Sequence, residues 1–173
     1  MSNLANYSPE DVYMVISNDI FGTHTISGTA EGTFISYERS VDRATLVTGS
    51  DLFSTRVLRR NKAGTVTVTL MQESSSNDIL SAIALRDEES HNNSYLFSVT
   101  IKDTSGRSVF FAPEAFIGND PQVAYSSDTE TREWTITVTS IERNFGGNAR
   151  VNAENEATLA ALGVTLDPQW VSN

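Results

Sequence analysis

The sequence has 173 residues, 39% hydrophobic and 20% charged, enough for one folded domain with a real core. A formal net charge of −10 argues against general affinity for nucleic acid, and the lack of cysteine removes disulfide frameworks and thiolate metal sites. No apolar run approaches the ~18 residues of a membrane span, and Met1–Glu10 has neither the basic region nor the apolar core of a signal peptide. The expectation is a chain without a membrane anchor, in which the sequons at Asn6 and Asn92 are chance matches.

In chain order, Ser8-Pro9-Glu10-Asp11 reads as a capped single turn leading into a strand over Val12–Ile16, where β-branched and aromatic residues dominate. Asn18 and Asp19 break that run. Thr23–Ala30 reads as the next strand, Glu31-Gly32 as a tight turn and Thr33–Arg39 as a further strand, with Ile35 and Tyr37 alternating with Ser36 and Glu38. Ser40–Ala63 differs from both. Its apolar residues are loosely spaced, and Thr45–Thr48 and Ser54–Leu58 suit two arms of a long hairpin turning near Gly49-Ser50. A projection of this length in a compact domain points to binding or assembly.

The sharpest charge feature falls in that stretch: Arg56, Arg59, Arg60 and Lys62 supply four of the twelve lysines and arginines, while the 22 acidic residues are scattered. Such a run is either an incidental solvated loop or a cationic surface for an acidic partner. Another copy of this acidic chain would serve as that partner.

Gly64–Asp103 is the organising unit. Val66, Val68 and Leu70 alternate with Thr65, Thr67 and Thr69 as in a strand with one buried face. Ser74–Asn77 offer capping oxygens and Asp78 complements the positive helix end. Ile79, Leu80, Ile83 and Ala84 then share one face of a helix over about 76–87, ended by the acidic run Asp87–Ser90. Tyr95, Phe97, Val99 and Ile101 resume strand alternation. A helix of about three turns does not hold itself together in water, so it lies on the sheet.

Val109–Ile117 is a strongly apolar strand in which Pro113 favours an edge or bulge. Gly118–Glu130 is a loop with at most a short strand at Gln122–Tyr125. Arg132–Ile141 is a strand with Trp134, Ile136 and Val138 in phase and Ile141 out of phase, which a bulge near Ser140 would explain. Gly146-Gly147 ends the β-core, giving a β-domain over 1–147 and a terminal segment over 148–173. In that segment Asn152 caps a helix over Ala153–Leu162 closed by Gly163, and the tail with Leu166 and Trp170 packs on this domain or on a neighbour.

For chemistry the residues offer little. His24 and His91 lack ligand partners at a diagnostic spacing, and there is no nucleophile elbow, zincin helix, phosphate loop, EF-hand or dinucleotide fingerprint. The expectation is no catalytic residue, no metal and no cofactor. A structural or binding β-domain is favoured over an enzyme.

Four stretches carry a family resemblance: YSPEDV at Tyr7–Val12, GTAEGTFI at Gly28–Ile35, GTVTVTLMQESSSNDILSAI at Gly64–Ile83, and REWTITV at Arg132–Val138. Together they resemble the structural-protein family that forms the tail tube of contractile-tailed bacteriophages, over roughly Tyr7 to Gly147. The resemblance implies a mainly β fold, a sandwich or barrel with one flanking helix. Six such subunits close into a ring with a shared barrel around a channel, and rings stack between baseplate and tail terminator inside a contractile sheath. DNA passes through without specific binding, and the subunit is made in the host bacterial cytoplasm and resides in the virion tail. At −10 per subunit a hexamer carries about −60, which suits an acidic lumen that does not hold DNA. By position, Ser40–Ala63 matches the loop such proteins extend to the adjacent ring, so Arg56, Arg59, Arg60 and Lys62 are expected at the ring-stacking contact. A tube subunit of a related secretion or bacteriocin apparatus, or a glycan- or peptide-binding β-sandwich, are the alternatives.

Overall fold

A computed structural model describes residues 4–172, so Met1–Asn3 and Asn173, the extreme ends of the two expected segments and part of the stretch read for a signal peptide, lie outside it. A 3₁₀ turn at Pro9–Asp11 leads into β1 (Val12–Asn18), followed by β2 (Gly22–Thr25), β3 (Ile35–Arg39), β4 (Ala44–Thr48), β5 (Ser54–Leu58) and β6 (Gly64–Met71). Then come α1 (Ser76–Ser90), β7 (Phe97–Asp103), β8 (Val109–Asn119), β9 (Thr131–Val138), β10 (Glu142–Asn144) and α2 (Ala153–Ala161). One eight-stranded antiparallel sheet has the order β2-β1-β7-β8-β9-β6-β3, with β10 on β8, and β4–β5 forms a separate hairpin.

The period-2 pattern decides which face is inside. Along β6, Val66, Val68 and Leu70 are buried, and across the ladder Val66 meets Ile136 and Val68 meets Trp134. On the other flank Met14 pairs with Ile101 and Ile16 with Val99, and all four join the same core. The chain between β2 and β3 explains the curl of the sheet. Ile26 N donates to Met14 O at 2.8 Å on β1, whereas Ala30 N donates to Thr69 O at 3.0 Å and Met71 N to Gly28 O at 2.7 Å on β6. Four residues of extended chain span at most about 14 Å, so the two flanks of the sheet are drawn together around the core. Closure stops there. Among the described residues β2 and β3, the end strands, are not paired, so the expected barrel is not closed within one subunit.

α1 lies on this core through Leu80 and Ile83, with Ile79 packed beside them. Its SSSN entry departs from the expected cap: Ser75 stands at the N-cap without a side-chain capping bond, and its neighbours bind elsewhere. Ser74 Oγ accepts from Ser76 N at 3.2 Å and donates to Ser27 O at 2.6 Å. The fully buried Ser76 Oγ accepts from Ser27 N at 3.0 Å, and Asn77 Oδ1 accepts from Trp134 Nε1 at 2.9 Å. One tetrapeptide therefore fastens the crossing segment and β9 to the helix start, giving each buried polar group a partner.

Several expectations need correction. The strand over Thr23–Ala30 stops at Thr25 because Gly28, at φ +69°, turns the chain across to β6, leaving only a bridge from Thr29 to Leu70. Likewise the Thr33–Arg39 strand begins at Ile35. The acidic run Asp87–Ser90 continues α1 rather than ending it: Glu is a good helix former, Arg86 pairs with Glu89 at 2.8 Å, and the helix stops at His91 in the left-handed conformation. Tyr95 sits in a 3₁₀ turn ahead of β7, and Gln122–Tyr125 has no strand. Pro113 does coincide with a bulge: three steps along β8, from Ala112 to Ala115, face two along β7, from Val99 to Phe97. Ile141 is out of phase because β9 ends at Val138 and the chain re-enters the sheet as β10. α2 ends at Ala161, one residue early, with the Asn152 cap accepting from Asn155 N at 2.8 Å and Gly163 at φ +80° closing it. Trp170 packs under Arg107, and Val151 bridges Val171, so the tail folds back on this subunit.

Candidate assembly surface

The β4–β5 arm pairs Ala44 with Leu58 through Thr48 with Ser54, inside the bounds expected from the sequence. Thr48 Oγ1 and Ser54 Oγ share a hydrogen bond of 2.9 Å near the tip, and Gly49 N donates to Phe53 O at 2.8 Å across the turn. Below the strands, Arg59 N donates to Arg43 O at 2.9 Å and Ser40 N to Ala63 O at 3.1 Å, so the ladder continues to the body. Arg39, at the end of β3, clamps the base by donating from Nη2 to Arg59 O at 3.2 Å and to Asn61 O.

Every residue of β5 is exposed, and so are Leu46, Val47, Leu58 and the tip residues Leu52 and Phe53. Leu52 is 84% exposed and stands at φ +68°. A branched side chain in the left-handed region costs about 1–2 kcal/mol, and here that strain presents an apolar group to solvent. Neither the strain nor the exposure helps this subunit fold.

Arg59, Arg60 and Lys62 come together with Arg39, Arg43 and Arg143 around a groove of about 460 Å³ at the arm's base. These six are half of the chain's twelve lysines and arginines. Ile141 N donates to Lys62 O at 3.2 Å, which brings β10 alongside, and Lys62 Nζ pairs with Glu142 at 2.5 Å. Glu142 is the one acidic residue in the groove wall. Arg56 does not line it; β5 carries it up the arm, opposite Leu46. Arg39, Arg43 and Arg143 were not visible as site residues in the sequence. Their signal is three-dimensional: Arg39 lies opposite Gly64, two residues past Lys62, and Arg143 arrives only because the chain breaks after Val138.

Elsewhere, His24 Nε2 and Ser76 Oγ lie 2.9 Å apart, but Ser76 is fully buried and also bonded to Ser27, so the pair is a structural link. His91 caps α1. Among the described residues no three His, Cys, Asp or Glu side chains gather as a metal site, and no helix is long and apolar enough to cross a membrane.

Structural protein ORF10 of Pseudomonas phage KPP10 is 39% identical over 168 residues, covering 96% of this chain and 97% of that protein. In fold, the chain is similar to a protein from the virion of a native gene transfer agent particle, with a TM-score of 0.53 at 11% identity, over 81% of this chain and all of that one. A tube and sheath terminator of an extracellular contractile injection system gives a TM-score of 0.46 at 13% identity, over 83% of this chain and 100% of that one. The family model of the bacteriophage PhiTE tail tube protein matches residues 4–146. The chain belongs to that tail tube family.

Proposed function

We propose that the chain is the repeating subunit of a phage tail tube in which six copies close into a ring and rings stack through the β4–β5 arm. Among the described residues the end strands β2 and β3 have free edges, and side-by-side pairing between subunits would complete both, removing the hazard that open edges carry in a monomer. Arg59, Arg60 and Lys62 at the arm's base, with Arg56 further along it, meet carboxylates of the adjacent ring. Such pairs set register and partner choice more than affinity. The tube so formed lies within a contractile sheath between baseplate and terminator, and DNA passes through its acidic lumen unbound. The subunit is folded in the host bacterial cytoplasm and kept in the virion tail, without a cofactor. Residues 148–173 form a terminal segment appended to the 1–147 β-domain.

The observation that carries this reading is the arm itself, strained at Leu52 and apolar at its tip, rooted in a cationic groove on a chain of charge −10. The test is negative-stain microscopy of concentrated protein, wild type and R59E/R60E. Wild type is expected to give rings and tubes, and the variant rings that do not stack although its circular dichroism and melting are unchanged. A wild type that stays monomeric at every concentration, or variant tubes of normal length, would overturn it.

A further inference from the structure

We infer that the free edge of β3 pairs with the last stretch of β8, Phe116–Asn119, on the next copy around the ring. The inference rests on the ring proposed above and names the strand that receives β3. β8 belongs to two ladders: Phe97 to Lys102 of β7 lie along it from Ala115 back to Val109, whereas β9 lies along it from Ala115 to Asn119. The bulge at Pro113 falls just before the change of partner, as at corners where a strand passes from one layer to another. β7 begins at Phe97, opposite Ala115, so among the described residues no strand stands on the other side of Phe116–Asn119. Nor does α1 close over that border. A cavity of about 730 Å³ lies between the helix and Ile117, Gly118 and Asn119, the last two of which are exposed.

β8, β9, β6 and β3 therefore form a four-stranded band with an open edge on each side. Direction decides which strand suits β3. Copies in a ring are related by rotation, so a given strand points the same way in each. Three antiparallel steps separate β8 from β3, so the two run in opposite directions and their junction between copies is antiparallel, like every ladder within the sheet. Six steps separate β2 from β3, so these end strands run the same way and would meet in parallel. Parallel pairing is the less stable per residue, and here it would be the one exception.

Length and face agree with this choice. β3 offers Ile35–Arg39 against Phe116–Asn119 of β8. On the inner face, Ile35 and Tyr37 at one border and Ile117 at the other are only partly buried against their own core; a junction covers the open flank of each. On the outer face, register places Ser36, Thr67, Thr135 and Asn119 in one row across the band. Glu38 and Glu133 share that face with the threonines of β6. Because the core fills the inner side, closure of the band turns this face, with its two carboxylates, toward the channel.

The cysteine-free sequence makes cross-linking a direct test. Ser36, Glu38 and Asn119 are exposed, so their replacement leaves the core intact. On oxidation of assembled protein, S36C/N119C or E38C/N119C (one step further along the same face) is expected to give covalent chains of subunits on a non-reducing gel. S36C/T25C, which samples a junction through β2, is expected to give none. Hydrogen exchange of the unmodified chain is independent of register and of the substitutions: amides in both Ile35–Arg39 and Phe116–Asn119 should slow at least about tenfold on assembly. Cross-links through Thr25→Cys, rings in which neither Asn119→Cys variant cross-links, or protection of β3 without protection of Phe116–Asn119 would overturn the pairing. If the unmodified chain forms no ring at any concentration, the tube reading falls with it; if rings form but β3 joins β2, only the acceptor named here is wrong.

Discussion

Two stretches that neighbour each other in the chain use the same strand-forming residues to opposite ends. In β6, every second residue from Gly64 to Leu70 is buried, and the threonines between them lie on the outer face. In β5, Ser54–Leu58 is equally regular in its pairing, yet all five residues are exposed. The hairpin has its ladder hydrogen bonds but no second layer. Backbone pairing sets where a strand lies, whereas side-chain stabilisation comes from what covers the face. For β6 the cover is α1 and the opposing flank of the curled sheet; for the arm it is absent from the subunit.

The largest expected effect breaks the covered side. Leu80 is fully buried on α1, so Leu80→Ala should destabilise the subunit by about 2–5 kcal/mol through lost burial and a residual cavity, measured by urea unfolding. The matching truncation on the arm, Leu46→Ala, should move stability by no more than about 0.5 kcal/mol. Similar losses at both sites would mean that the arm is packed in the free subunit.

Next comes the point where the crossing segment is fastened. Gly28 has φ +69°, and a Cβ there would stand 2.6 Å from Ser74 Cβ and 3.2 Å from Ser74 Cα. Gly28→Ala should therefore cost at least ~2 kcal/mol, combining left-handed strain with a clash against the α1 entry. The exposed Gly32, also left-handed at φ +83° but with open space around its Cβ position, should lose only the strain component, about 1 kcal/mol. Equal losses at the two glycines would show that Ser74 gives way freely.

A smaller effect centres on one bond in the same region, with some lost packing of the larger ring added to it. Trp134→Phe keeps an aromatic ring in the core but removes the donor to Asn77 Oδ1, at a cost of about 1–2 kcal/mol in melting or urea unfolding. Asn77 would keep its donation to Met71 O at 2.9 Å, so α1 should stay helical.

The contrast between the stretches also explains what the sequence disclosed. β6, the buried stripe of α1 and both arms of the hairpin are written in local periodicity and turn residues, and they appear where the pattern puts them. The clasp formed by Ser74, Ser76 and Asn77 was visible only as a capping signal, because its partners, Ser27 and Trp134, are 47 or more residues away in sequence. The expected Thr23–Ala30 strand overshoots β2, because a strand pattern with one glycine does not reveal that the glycine redirects the chain. Of the cationic groove, Arg59, Arg60 and Lys62 were legible as a run. Arg39, Arg43 and Arg143 were not, since pairing register and the break after Val138 bring them in from three other segments. Local charge density thus disclosed three of the six basic residues that line the groove.

The smallest expected change in stability is the most informative about the arm. Leu52→Gly relieves a left-handed residue, worth about 1 kcal/mol or slightly more, and gives back a similar amount through the extra freedom of glycine in the unfolded chain. The net change in the unfolding free energy of the subunit should stay within about 0.5 kcal/mol. The side chain removed is 84% exposed, so no core burial is lost. Tube yield should nevertheless drop, because the apolar tip that a neighbouring copy would cover has gone. A stable subunit that no longer stacks separates the arm's two possible purposes cleanly. If Leu52→Gly instead melted several degrees lower, Leu52 would be supporting its own subunit, and the distinction between a covered strand and an arm awaiting cover would collapse.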